Sequence, residues 1–221
     1  RREWQAAAPR LKTSSAVIER CYEQSIVDLA SLLLQTSDDA AEPVIAAGSP
    51  LFMALFGRDS LITSMATALL GSSHGLGTLS TLAEHQGVTT SVVSAEEPGK
   101  ILHELRNGEA VTRPGGWGSV YYGSVDATPL FVMALAEALR WGAPAERVAA
   151  LLPAAERAVE WIRTYGDADG DGFVEYAGSS LAGVAGLANQ AWKDSYDAIR
   201  HPDGTIATGP IAVVEVQAYC H

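Results

Sequence analysis

The residues best suited to chemistry lie together in residues 189–197, which read Asn-Gln-Ala-Trp-Lys-Asp-Ser-Tyr-Asp. Aromatic faces can pack on the apolar side of a sugar ring, polar groups can bind hydroxyls, and a carboxyl group can transfer a proton. We therefore predict that Asp194 is a general acid and that Trp192 and Lys193 contact the substrate. The alternative is that Asp194 and Asp197 are surface acids following a loop.

Further polar residues stand near the starts of predicted helices. Arg58 and Asp59 open a helix predicted over residues 55–70, and Tyr122 and Asp126 precede one that starts near residue 128. An arginine and an acceptor can hold sugar hydroxyls, so we predict that Arg58 and Asp59 bind substrate and that Tyr122 stacks on a sugar face. The alternatives are a helix-start acid paired with Arg58, a core tyrosine and a capping aspartate. Glu215, a polar residue in an apolar helical run, either lines the same site or faces solvent.

Metal and cofactor motifs give weaker signals. Residues 167–172, Asp-Ala-Asp-Gly-Asp-Gly, begin like an EF-hand loop, but position 12 is Gly178 where calcium needs a glutamate. For Asp167 to Asp171 we predict a turn that ends a helix, with an incidental calcium site as the alternative. His103 lacks the second histidine of a zinc helix. The sequence also has no phosphate-binding loop or dinucleotide fingerprint, so we predict neither a metal nor a cofactor.

Composition limits the class of protein. The chain has 221 residues with 48% hydrophobic residues, 19% charged residues and a formal net charge of −11. Without a basic stripe or an apolar run of about 18 residues, neither nucleic acid nor a membrane is expected as a partner. Two cysteines form no disulfide framework, and a cytoplasmic protein is expected. Both ends read like cuts from a longer protein.

Hydrophobic periodicity predicts helices over residues 14–35, 55–70, 76–86, 128–142, 144–165 and from 210 onward, with a break at Pro153. The second, fourth and sixth begin at polar, motif-rich segments. A helix N-terminus carries free N–H groups and partial positive charge, which favours acids and hydroxyls there. We therefore predict an all-α fold in which three helical hairpins curve around one site.

Six motifs in a fixed order resemble those of a known family. They are AAGSP at 46–50, LFGRDS at 55–60, EEPGKILHE at 96–104, YGSVDATP at 122–129, NQAWKDS at 189–195 and GPIAVVEVQ at 209–217. The series resembles the amylo-α-1,6-glucosidase family, the glucosidase part of glycogen debranching enzymes, in its bacterial form. The resemblance extends from about residue 46 to residue 219.

The resemblance implies an (α/α)6 toroid of helical hairpins, of which this chain would contain about half. Residues 1–221 would then be a partial glycosidase catalytic domain that is truncated at its C-terminal end. It also implies inverting hydrolysis of α-glucosidic bonds, and α-1,6 glucan branches in particular. In the family pattern, Asp194 is the general acid, Arg58 and Asp59 hold the sugar, and Asp126 lines the pocket. The general base would be a glutamate in the missing C-terminal half of the toroid, which would then be a required partner.

Two alternatives stay open at this point. One is a related toroid hydrolase that acts on trehalose, sucrose or mannosylglycerate. The other is a helical sugar-binding fragment without catalysis. In each case the expected ligand is an α-glucan or a small glucoside.

Overall fold

The computed structural model describes residues 8–36, 42–71, 73–106, 118–177 and 186–221. In these ranges the α-helices are α1 (Ala16–Ser31), α2 (Gly57–Ala66), α3 (Ser73–Glu84), α4 (Ala127–Arg140), α5 (Ala145–Thr164) and α6 (Val214–Cys220). The strands are β1 (Leu33–Leu34), β2 (Val44–Ile45), β3 (Leu55–Phe56), β4 (Glu104–Leu105) and β5 (Val120–Tyr121). A short 3-10 helix, Ala68–Leu70, follows α2.

The predicted all-α toroid is wrong, because the described residues form a mixed α/β structure. Helices make up 43% of it, beside two small antiparallel sheets. One sheet pairs β1 with β2, and the other has the order β3-β4-β5, with Glu104 opposite both Phe56 and Tyr121. Each strand has two residues, which is too short for an alternating pattern to show in the sequence. Periodicity therefore placed β1 and β3 at the ends of predicted helices and left β2, β4 and β5 in predicted loops, although backbone pairing joins these segments into sheets.

The main core forms where α2, α3 and α5 pack around α4. Buried residues on α4 recur three and four positions apart, as expected of a helix that buries one face. The fully enclosed side chains Leu61 of α2, Leu79 of α3 and Phe131 of α4 belong to this core, as does Leu55 of β3. Because α2 and α4 pack directly on each other, the core fixes the distance between their first turns.

Two predicted helix boundaries are also wrong. Pro153 lies inside the continuous helix α5, on its exposed side, while the opposite side is buried in the core. That packing offsets the hydrogen bond that a proline removes from a helix. The last helix starts at Val214 and not at Pro210, because Ile211 first pairs with Tyr176 through two backbone hydrogen bonds of 3.2 and 2.9 Å.

Helix α1 lies outside the main core. It buries only Ile26 and Ala30, against Leu70, while Val17 and Ile18 remain more than half exposed. Only part of the apolar face of α1 therefore packs against other described residues. Within those ranges no helix combines the length and the apolar content that crossing a lipid bilayer demands.

Candidate functional site

The first turn of α2 is hydrogen-bonded to His103, the residue before strand β4, and this contact places Arg58. The Gly57 backbone N–H donates to the carbonyl oxygen of His103 at 2.9 Å. A Cβ atom at Gly57 would collide with the carbonyl oxygen of Leu102 and with the Ala127 side chain at the start of α4. Glycine therefore permits the close approach that brings Arg58 next to the first turn of α4.

Arg58 forms an enclosed ion pair with Asp126. Its Nη1 lies 2.8 Å from Asp126 Oδ2, and the Ser124 hydroxyl donates to Asp126 Oδ1 at 2.6 Å. The Asp126 side chain is 0% exposed and that of Arg58 only 12%. Burial acts most strongly and would lower the pKa of Arg58, but the charge and hydrogen bond of Asp126, with the charges of Asp59 and Asp194, raise it overall. The structure thus places Asp126 behind Arg58, as its support.

Asp194 lies on the open side of the same arginine. Its Oδ2 is 3.6 Å from Arg58 Nη2, and its side chain is 46% exposed. The segment carrying it is held by Asn189, whose amide nitrogen donates to the Ser195 carbonyl at 2.5 Å and whose oxygen accepts from the Tyr176 hydroxyl at 3.0 Å. Asp194 therefore lies next to the Arg58 guanidinium and is still open to solvent, so a ligand can reach it.

These side chains line an open pocket of about 480 Å³. Its lining residues are Ala47, Phe52, Phe56, Arg58, Asp59, Ile62, Thr63, His103, Trp192 and Asp194. Phe52 and Trp192 are more than half exposed, so they offer apolar faces beside the charged groups. Pockets of roughly 300–1,000 Å³ with mixed walls are typical of small-molecule sites. The arrangement suits a ligand that has an apolar face and hydroxyl groups.

Of the predicted site residues, Arg58, Asp59, Trp192 and Asp194 meet in this pocket, and the others lie elsewhere. Tyr122 is buried in the main core and donates to the His85 carbonyl at 2.7 Å. Burial, helped by the charge of Glu96, raises the pKa of Tyr122 to about 12. Lys193 is exposed, with Nζ 5.0 Å from the centre of the Trp192 ring. On α6, the Oε1 atom of Glu215 is buried without a partner among the described residues.

The sequence reasoning missed Phe52, Phe56 and His103 as pocket residues. Phe56 lies in the motif LFGRDS and His103 in the motif EEPGKILHE, whereas Phe52 belongs to none of the six motifs. Burial, with the charges of Arg58 and Arg106 adding to it, lowers the pKa of His103 to about 3. The pocket therefore contains a neutral imidazole at neutral pH.

A second group of charges, in EEPGKILHE, supports the fold. Lys100 is only 5% exposed, and its Nζ lies 3.2 Å from Glu97 Oε2 and 5.4 Å from the centre of the Trp161 ring. The Trp161 indole N–H donates to the same Glu97 oxygen at 2.7 Å. Burial lowers the pKa of Lys100 despite the opposing effect of Glu97. This cluster attaches the segment to α5 and is not the solvated surface that its charges alone suggest.

The acidic turn after α5 is closed by its own backbone. Asp167 accepts from the N–H of Gly170 at 2.8 Å, and Glu175 accepts from the N–H of Ala168 at 3.1 Å. One oxygen each of Asp167, Asp169 and Glu175 lies within 4.8 Å of the others. Hydrogen bonds within the chain account for this turn, which ends α5 as predicted. Position 12 of the EF-hand pattern, residue 178, lies outside the described residues.

Comparison with known proteins adds no family assignment. No protein-family model matches the chain, and no curated protein matches it. The family resemblance carried by the six motifs therefore stays a prediction, and the function has to be argued from the pocket around Arg58 and Asp194.

Proposed function

We propose that the chain belongs to a glycoside hydrolase that cleaves α-glucosidic bonds by inversion, with Asp194 as the general acid. The observation that carries the proposal is the position of Asp194: half-exposed, 3.6 Å from Arg58, in a pocket walled by Trp192 and Phe52. The motif series supports the same reaction. The amylo-α-1,6-glucosidase family and the α-1,6 branch bond rest on that resemblance alone.

Each wall of the pocket has a defined part in this mechanism. The apolar face of a glucose ring would pack on Trp192, while Arg58 donates to ring hydroxyls and Asp59 accepts from them. Because Asp126 holds Arg58 from behind, the guanidinium needs no reorganisation when sugar binds. The carboxyl group of Asp194 would then give its proton to the departing glycosidic oxygen.

Inversion also requires a second carboxylate that activates water, roughly 6.5–9.5 Å from the acid. Asp59 and Asp194 are the carboxylates among the lining residues, and the proposal uses Asp59 for sugar hydroxyls. The base is therefore assigned to a glutamate outside the six motifs, as the resemblance implies.

The test is the substitution Asp194→Asn, assayed on isomaltose, maltotriose and limit dextrin. We expect glucose release to fall by at least about 100-fold, because a positioned general acid contributes about 10²–10⁴-fold, while sugar affinity is retained. Asp197→Asn is the matched control, since Asp197 lies three residues away and pairs with Arg200 on the surface. Unchanged turnover in Asp194→Asn would reject the role. The anomer first released, read by NMR, tests inversion separately.

A sugar-binding protein without catalysis is the second candidate. It is favoured by the lining itself, which holds an ion-paired Arg58 and aromatic walls but no carboxylate other than Asp59 to act as a base. Calorimetric binding of maltotriose without any release of glucose would support it. Hydrolysis of trehalose, sucrose or mannosylglycerate in preference to α-glucans would instead change the substrate assigned to the pocket.

A cytoplasmic location is part of the same proposal. Cys21 and Cys220 are free thiols, and free thiols are usual in proteins of reducing compartments. A cell-fractionation experiment that finds the parent protein outside the cytoplasm would overturn this part alone.

A further inference from the structure

The His103 ring is fixed in the wall of the pocket. The backbone of His103 donates to the Tyr121 carbonyl at 2.7 Å and accepts from the Gly57 N–H at 2.9 Å. The imidazole meets Phe56 and Tyr121 edge to face, with ring centres 5.5 and 5.9 Å away and interplanar angles of 84° and 87°. With 6% exposure, the ring has little freedom to turn. A ligand would therefore meet it in one orientation.

The two ring nitrogens have different surroundings. Nδ1 is buried and has no hydrogen-bond partner among the described residues. Since the ring lines the pocket and Nδ1 is enclosed, we assign Nε2 to the side of the ring that faces the pocket. Burial and the nearby charges of Arg58 and Arg106 keep the imidazole neutral, so it carries a single proton. Nδ1 is unpaired in either tautomer, but a proton on Nδ1 would be an enclosed donor without an acceptor, whereas a proton on Nε2 can be donated to a ligand, so we place it on Nε2.

We propose that His103 is a specificity-determining residue whose Nε2–H donates a hydrogen bond to an acceptor oxygen of a neutral, polyhydroxylated ligand. This inference rests on the proposed function, because it assigns a further contact to the same pocket. Arg58 can only donate, and it does so as a cation. His103 adds a donor without charge, which suits a sugar oxygen and disfavours an ammonium group at that position.

The first test uses the wild-type chain and needs no substitution. Two-bond ¹⁵N–¹H correlation spectra of the imidazole groups distinguish the tautomers. We expect the His103 proton on Nε2, and both Nε2 and its proton should shift when maltotriose saturates the protein. A proton on Nδ1, or an unchanged signal at saturation, would overturn the inference.

The second test compares variants at this position. His103→Gln places an amide nitrogen near the position of Nε2, whereas His103→Phe keeps a ring of similar shape without any donor. We expect maltotriose affinity to fall about 10-fold in His103→Phe and less than about 3-fold in His103→Gln. His85→Phe is the control, because His85 lies outside the pocket lining and contacts the Thr81 carbonyl through Nδ1. Thermal unfolding establishes that each variant is folded.

A set of monodeoxy derivatives of methyl α-glucoside then identifies the oxygen. One deoxy position should weaken binding to the wild type but not to His103→Phe. Equal affinity of wild type and His103→Phe for maltotriose would overturn this inference and leave the proposed function standing. A wild type that binds none of these glucosides would overturn both. If His103→Phe does not fold, the spectra of the wild type decide the matter.

Discussion

Breaking the enclosed ion pair between Arg58 and Asp126 on one side should destabilise the fold as well as the pocket. Asp126→Asn keeps the shape of the side chain and removes its charge. The Arg58 guanidinium, 12% exposed, would then keep only the half-exposed Asp194 at 3.6 Å as an ion-pair partner. Removing one partner of a buried pair costs about 3–5 kcal/mol. Because an asparagine oxygen can still accept from Arg58, we expect the lower end, about 3 kcal/mol.

The measurement is urea unfolding followed by circular dichroism, with thermal unfolding alongside. At roughly 2–4 °C per kcal/mol for a chain of this size, the midpoint should fall by about 6–12 °C. Asp197→Asn is the control, because Asp197 and Arg200 lie 3.0 Å apart but are 43% and 46% exposed. An exposed pair of that kind contributes about 0–1 kcal/mol.

Two outcomes would refute the reasoning. In the first, Asp126→Asn destabilises the protein no more than Asp197→Asn does. Burial of the pair would then not explain the loss of stability. In the second, Asp126→Leu combined with Arg58→Met loses as much stability as the two single changes added together. If the buried charges are responsible, the double variant should recover much of the loss, because it leaves no unpaired charge.

Three further predictions concern the surroundings of the pair. The folded pKa of His103, about 3, lies below its ordinary value, so His103 should make stability fall as the pH drops from about 6.5 toward 3, by up to about 1.4 kcal/mol per unit. Acidic side chains add to the fall in this range, so His103→Gln should show a shallower pH slope than the wild type when urea unfolding is repeated at several pH values, and an identical slope would contradict the argument. Gly57→Ala should lower the free energy of unfolding by roughly 1–3 kcal/mol, because its Cβ atom would collide with a backbone oxygen. Gly75→Ala is the control and should cost nothing measurable, because the nearest atom to its Cβ would lie 3.5 Å away. Equal losses in the two variants would contradict the steric argument. Tyr122→Phe should lose about 1 kcal/mol in the same assay through its hydrogen bond to a carbonyl, and an unchanged stability would show that the bond contributes nothing.

Helical periodicity predicted most of the helices, because α4, for example, buries residues three and four positions apart. It failed at Pro153, where core packing outweighs the local preference of proline. The sheets were missed because pairs such as Phe56 with Glu104 join residues far apart in the chain, and two residues carry no pattern. Tertiary pairing therefore decided the fold class, and the sequence did not reveal it.

The pocket was predictable where chemistry and local position coincide. Arg58 and Asp59 stand in the first turn of α2, Trp192 and Asp194 lie in one motif, and all four line the pocket. The role of Asp126 as a support could not be read locally, since it depends on the packing of α4 against α2.

The central strand β4 sets the positions of the pocket residues along the sheet. Strand β3 pairs with one edge of β4 and leads into the start of α2, and strand β5 pairs with the other edge and leads toward Asp126. His103 directly precedes β4. Side chains on a strand alternate in direction, so a slip of one position would exchange inward and outward neighbours. Removing one residue from β4 would therefore bring Leu102 to the place of the imidazole and dismantle the site without touching any charged side chain in it.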